Sequence, residues 1–301
     1  MNRRLFLRNS FLSLLSSSIL NSSFKFKSNT FNLNYAPHFG LFKNSSGEDL
    51  LDQIQFMYDQ GFRSIEDNSM RSRSISDQEK ISNKLDSLGM KMGVFVAHDI
   101  YWNKPNLASG NLDYRKKFIK NIYESVEVAK RVNATWMTVV PGFLDLHLNI
   151  SYQTSNVVET LKIASEILEP HGLVMVLEPL NFRDHPGMFL SKSPQAFEIC
   201  NSVNSPSCKI LFDIYHQQIQ EGNLIPNIDL CWDEISYFQI GDNPGRKEPL
   251  TGEINYKNIF KHIYKKGYKG ILGMEHGNSL KEKVGEKLTI ESYRKVDNFL
   301  S

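Results

Sequence analysis

The sequence predicts an α/β fold, a single (β/α)8 barrel over residues 29–301. From Phe31 onward, eight short runs rich in Val, Ile, Phe and Tyr alternate with amphipathic stretches of helical period. The span that holds them suits the roughly 250 residues such a barrel needs. The rival, a doubly wound open sheet, would want a Gly-rich phosphate loop after an early strand, and none is found.

The expected strands are Phe31–Tyr35, Phe62–Glu66, Met92–Ala97, Thr135–Val140, Leu173–Leu177, Ile210–Phe212, Ile235–Ile240 and Gly270–Met274. Most are bounded by Gly, Pro or polar turns. Between the first two, Leu50, Leu51, Ile54, Met57 and Tyr58 share one helical face. Ser76 with Glu79 reads as a capping box ahead of Ile81, Leu85 and Leu88, and Gly89 as the stop. Tyr101–Asn111, with Pro105 and Gly110, reads as a loop over the active face. Phe118, Ile122, Val126 and Ala129 make a third stripe, and Val157, Leu161, Ala164 and Leu168 a fourth, closed by Pro170 and Gly172. Ser193-Pro194 places an N-cap before a Pro at the first helical position. A last stretch, Tyr256–Lys266, stops at Gly267.

Composition narrows the function classes. The chain of 301 residues is 41% hydrophobic and 23% charged, with formal net charge +2, so neither disorder nor a nucleic-acid partner is implied. No apolar run approaches the roughly 18 to 20 residues of a membrane span. The 3 cysteines, Cys200, Cys208 and Cys231, lack CxxC spacing and exclude a disulfide framework or a zinc ribbon.

Residues 1–28 read as a separate leader, with 5 bases, no acids and a serine-diluted apolar run from Phe11 to Leu20. Within it, Asn2-Arg3-Arg4-Leu5-Phe6-Leu7-Arg8 resembles the twin-arginine export signal, departing from it at Asn2 and lacking an A-x-A cleavage site. The resemblance implies a periplasmic or otherwise exported protein. A disordered basic tail on a cytoplasmic protein is the alternative.

In a barrel of this kind the chemistry sits where strands end. The fifth to eighth expected strands run into Glu178, Asp213, Gln239 and Glu275, spaced by 35, 26 and 36 residues, about one βα unit each. Taken singly, each acid is as readily a helix cap or the partner of a surface Lys. Four in register on successive strands point to one rim. Crowded carboxylates raise one another's pKa unless a cation compensates. Two Glu, one Asp and one amide oxygen suit a hard divalent cation, Mg²⁺ or Mn²⁺. Glu66 and His98 end the second and third strands and are expected to line the pocket, or else to make structural hydrogen bonds. Glu253 could brace Arg246 or simply favour a helix N-terminus. Tyr101 and Trp102 are candidates for an aromatic wall. His276 follows Glu275 directly and should point away.

The strings Leu177-Glu178-Pro179-Leu180-Asn181-Phe182-Arg183, Phe212-Asp213-Ile214-Tyr215-His216-Gln217 and Gln239-Ile240-Gly241-Asp242-Asn243-Pro244-Gly245-Arg246 resemble the hydroxypyruvate isomerase family, within the xylose-isomerase-like TIM barrels that also hold the ketose 3-epimerases. The resemblance is specific over residues 173–276 and architectural before that. It implies a metal held by Glu178, Asp213, Gln239 and Glu275, with Glu178 and Glu275 as proton-transfer groups. It also implies that His216 contacts a substrate oxygen and that Arg246 suits an anionic or polyol substrate. Where that family has a Gly-Asp-Trp string after strand three, this chain has Ala97-His98-Asp99-Ile100-Tyr101-Trp102.

The chemistry so implied is isomerisation of a small hydroxy-carbonyl compound, a sugar or sugar acid, through an enediolate. A ketose 3-epimerase or sugar dehydratase on the same fold is one alternative. A non-catalytic periplasmic carbohydrate-binding barrel is another, although binding alone needs no pair of bases. Homo-oligomerisation is left open.

Overall fold

The computed structural model describes residues 30–300. The expected leader, residues 1–28, and its twin-arginine-like string lie outside the described residues.

Eight parallel strands form the inner wall: β1 Asn34–Pro37, β2 Ser64–Ile65, β3 Lys91–Met92, β4 Trp136–Val139, β5 Val174–Leu177, β6 Cys208–Asp213, β7 Ile235–Gln239 and β8 Ile271–Met274. Six pair in the order β1-β8-β7-β6-β5-β4, and β2 pairs with β3. Bridges between His38 and Glu66, Met92 and Ala134, and Val96 and Thr138 join these two sheets on both sides, which closes the ring. A closed ring leaves no unpaired strand edge.

The longer helices pack outside it: α1 Leu50–Asp59, α2 Ile75–Leu88, α3 Leu112–Val132, α4 Ile150–Leu168, α5 Ser193–Val203, α6 Ile214–Gln220, α7 Leu224–Cys231, α8 Tyr256–Lys265 and α9 Glu282–Asp297. The stripes read from the sequence face inward. Phe118, Ile122, Val126 and Ala129 of α3 are buried, as are Val157, Leu161, Ala164 and Leu168 of α4. Each such large side chain contributes about 1.5–3 kcal/mol by leaving water. A charge at Leu161 or Ile122 would therefore unseat its helix. A second, smaller core fills the barrel, with Ala36, Val176, Leu211, Tyr237 and Ile271 drawn from five strands and Val94 from the segment after β3.

Some boundaries differ from expectation. β1 begins at Asn34 rather than Phe31, because Phe31 leaves the strand to stack on Phe62 at 4.9 Å. The N-cap of α2 is Ser74, whose hydroxyl accepts from the Asp77 N–H at 3.1 Å. Ser74 and Asp77 repeat the capping pattern two residues before Ser76 and Glu79, and the earlier copy starts the helix. Ser193 is the first residue of α5 rather than its cap, and its N–H and hydroxyl both donate to Glu221. Gly89 does end α2, in the left-handed conformation. Among the described residues no helix is long and apolar enough to cross a membrane.

Candidate active site

Each strand of the second half delivers one polar side chain to the same rim. Asp213 is the last residue of β6 and Gln239 the last of β7, and the two are register partners. Glu178 and Glu275 follow β5 and β8 directly. Parallel pairing in register is what brings residues so far apart in sequence to one level.

Glu178, Asp213 and His216 form a buried group whose ligand-capable atoms all lie within 4.8 Å of one another. His216 Nε2 stands 3.7 Å from Glu178 Oε1 and 3.5 Å from Asp213 Oδ2. Glu275 joins through Arg246, whose Nη2 donates to Glu275 Oε2 at 2.8 Å and to Asp213 Oδ2 at 3.2 Å. Burial, then the charges of Glu275 and Asp213, push the Glu178 carboxyl well above the usual carboxylate range. Burial also raises Asp213, against the pull of the Arg246 guanidinium and of hydrogen bonds from the Tyr215 and His216 N–H groups. The guanidinium is the cation that makes this crowding of acids tolerable here.

The residues present fit a divalent cation. Gln239 Nε2 donates to Glu66 Oε2 at 3.5 Å, while its amide oxygen is buried without a hydrogen-bond partner. Glu66 Oε1 is orphaned in the same way. Buried polar atoms without partners are costly, and here they accompany a set of acids already drawn around one positive charge.

Arg246 is held where it is by the loop after β7. Asp242, fully buried, accepts from the Asn243, Thr251, Gly252 and Ile254 N–H groups. Its carbonyl accepts from the Arg246 N–H at 2.9 Å. Arg246 itself sits at φ 51, a left-handed conformation that costs about 1–2 kcal/mol and that this network enforces.

Other expected residues fall elsewhere. Glu66 does not line an open pocket. It lies under the rim, 1% exposed, accepting from the Tyr237 hydroxyl at 3.2 Å as well as from Gln239. Gly273 makes room for it, since a Cβ there would collide with the Glu66 carboxylate. His98 has both ring nitrogens engaged with backbone: Nε2 accepts from the Val140 N–H at 3.2 Å, and Nδ1 faces the Asp99 carbonyl at 3.0 Å. That leaves it no ring nitrogen for a substrate. Glu253 does not touch Arg246 but accepts from Asn243 Nδ2 at 2.6 Å and Gln218 Nε2 at 3.1 Å. His276 does point away, toward the Tyr293 hydroxyl at 2.8 Å. The two loop aromatics divide. Tyr101 packs on Tyr114 of its own surroundings, whereas Trp102 stacks on His185 at 5.1 Å, and His185 lies 5.4 Å from His216.

Sequence reading passed over Tyr237, although it lies two residues before Gln239 and so on the same face of β7. It also passed over Asn68, whose amide donates to Glu275 Oε1 at 3.0 Å, and no sequence signal marks that residue.

A family model described as a xylose isomerase-like TIM barrel matches residues 54–295. The hydroxypyruvate isomerase of Escherichia coli (strain K12) is 39% identical over 122 residues, 40% of this chain and 47% of that enzyme, so the match spans about half of that relative's length. The 2-oxo-tetronate isomerase of Cupriavidus necator is 27% identical over 227 residues, 75% of this chain and 86% of that enzyme. Among solved structures, an AP endonuclease of family 2 from Brucella melitensis superposes with TM-score 0.75 at 24% identity, over 84% of this chain and 96% of that one. That last likeness is one of fold.

Proposed function

The chain belongs to the xylose isomerase-like TIM barrel family, and on that premise we propose that it is a metal-dependent isomerase of a small hydroxy-carbonyl compound, a sugar or sugar acid of the hydroxypyruvate class. The observation that carries this is the rim cluster: Asp213 and Glu275 bridged by the Arg246 guanidinium, and Glu178 meeting Asp213 across His216, beside an unpartnered Gln239 amide oxygen. Relatives that match the chain are isomerases of hydroxypyruvate and of 2-oxo-tetronate, and both names describe small hydroxy-carbonyl acids.

Glu178, Asp213, Gln239 and Glu275 would hold the divalent ion, Mg²⁺ or Mn²⁺ by donor type. When bound, it would polarise the carbonyl next to the proton to be removed. The chain's own residues do the rest. Glu178, buried at the end of β5 beside Asp213 and His216, takes the proton from the carbon beside the carbonyl. Returning that proton to the neighbouring carbon completes an aldose–ketose interchange. Glu275 is held by Arg246 and Asn68, so the two carboxylates are unequal. This inequality favours a single working base over the two equivalent bases of an epimerase. Arg246 supplies positive charge for an acidic substrate, and His216 faces the substrate oxygens.

The test is turnover of hydroxypyruvate and a panel of small ketoses, with Mg²⁺ or Mn²⁺ and with chelator, followed by proton exchange in heavy water. Metal-dependent interconversion with solvent exchange is the expected result. Binding without exchange would make the protein a carbohydrate-binding barrel. Inversion at one carbon would make it an epimerase.

A further inference from the structure

His216 is fully buried in α6, and its two ring nitrogens live in different surroundings. Nδ1 lies 2.6 Å from Asn181 Nδ2 and 3.3 Å from the Asn181 backbone N. Nε2 has no hydrogen-bond partner and faces the carboxylates of Glu178 and Asp213.

The orientation of the Asn181 amide is set independently of the histidine. Its Oδ1 accepts from the Arg183 and Asp184 N–H groups, both at 2.9 Å. Turning the amide over would set its NH₂ against two backbone donors, so the NH₂ must face His216 and Asp184 Oδ2, the latter at 3.1 Å. The backbone N–H of Asn181 can only donate. Both groups offered to Nδ1 are therefore donors. A nitrogen that meets only donors carries a lone pair, and in a neutral imidazole the proton must then be on the other nitrogen.

We propose that Asn181 is a positioning residue that locks His216 as its Nε2–H tautomer, so that the contact with a substrate oxygen already expected of His216 is made as a donor and its Nε2 is not a metal ligand. The lock explains why a histidine standing within ligand range of two acids is excluded from the metal set. A protonated Nε2 has no lone pair to give. It also explains the orphaned Nε2, whose natural acceptor is an oxygen of the substrate that forms or gains charge as the proton moves. The inference rests on the isomerase reading only for the identity of that oxygen, because the tautomer follows from hydrogen-bond donors alone.

Long-range ¹H–¹⁵N correlation NMR of the ¹⁵N-histidine-labelled full chain tests it. The His216 signals are those missing from His216→Gln. Nδ1 should appear unprotonated and Nε2 protonated, both in chelator and with Mg²⁺ added. A protonated Nδ1, or loss of the Nε2 proton on adding Mg²⁺, would overturn the proposal. Asn181→Asp replaces the donor by an acceptor and should put a proton on Nδ1, and Asn181→Ala should give mixed tautomers. An unchanged tautomer in both, with the fold retained by circular dichroism, would also overturn it. On a turned-over substrate, Asn181→Asp should cost about 10²-fold in kcat, the scale of one oriented donor, with Mg²⁺ affinity unchanged. If no substrate is turned over by the wild type, the functional reading fails while the tautomer measurements still decide this one.

Discussion

His98, just beyond β3, and His216, at the start of α6, are both buried rim histidines, with pKa values pushed down by burial to about 4 and about 3. His98 spends Nε2 on the Val140 N–H and Nδ1 on the Asp99 carbonyl. His216 spends Nδ1 on Asn181 and leaves Nε2 facing two carboxylates. The difference extends to the two halves of the rim, with Glu66, whose Oε1 is orphaned beneath Gln239, the exception in the first half. In the first half, His38 likewise has both ring nitrogens against backbone carbonyls, of Phe39 and His276. In the second, Gln239 and His216 keep orphaned atoms and the acids crowd one another. A polar residue whose hydrogen bonds are all answered by backbone supports the barrel. One left half-answered is built for something that arrives.

Breaking the second half should abolish chemistry and spare the fold. Glu178→Gln keeps an oxygen for the metal and removes the base, so kcat should fall about 10²- to 10⁴-fold with an unchanged circular dichroism spectrum. Near-normal turnover in both Glu178→Gln and Glu275→Gln would remove the contrast between the halves. Asp213→Asn retains an acceptor for the N-cap of α6 but loses a charge from the metal set. The wild type should gain about 2.7 kcal/mol of stability from Mn²⁺ at a hundred times its dissociation constant, reversed by chelator. The variant should forfeit most of that gain in a thermal-shift titration.

Breaking the first half should do the reverse. His98→Ala leaves the Val140 N–H unanswered in the interior, which costs about 1–3 kcal/mol. Urea melts should show that loss, while KM and metal affinity hold steady. The same residue sets an acid limit. Its folded pKa is about 4, whereas an unfolded histidine titrates near about 6.5. On acidification the unfolded chain takes up the proton first, so the stabilising contribution is whole above about pH 6.5 and is lost as the pH falls toward about 4. The rate is about 1.4 kcal/mol for each pH unit descended. His276, pushed down by burial to about 3, acts with the same sign. His98→Asn should therefore flatten the decline in urea-melt stability between pH 6.5 and 4. A decline as steep as wild type would place the acid sensitivity elsewhere. Smallest of all, Glu253→Ala should shift stability by no more than about 0.5 kcal/mol and leave kcat alone, because Glu253 meets Asn243 and Gln218 at the surface rather than Arg246.

The sequence by itself determined the alternation of eight strands with amphipathic helices, because period and turn residues are local properties of the chain. It also determined that Glu178, Asp213, Gln239 and Glu275 reach one rim, because parallel strands of similar length end at one level. It could locate Glu66 and His98 at strand ends but not tell what they would meet. Only the closed barrel decided that Glu66 lies beneath Gln239 and Tyr237 in the space Gly273 leaves. Only the fold decided that the Val140 N–H satisfies His98 and that an amide 35 residues away fixes His216. A hydrogen bond depends on the direction of both partners in space. Residue type and spacing set where a donor or acceptor sits along the chain, and tertiary packing alone sets which way it faces.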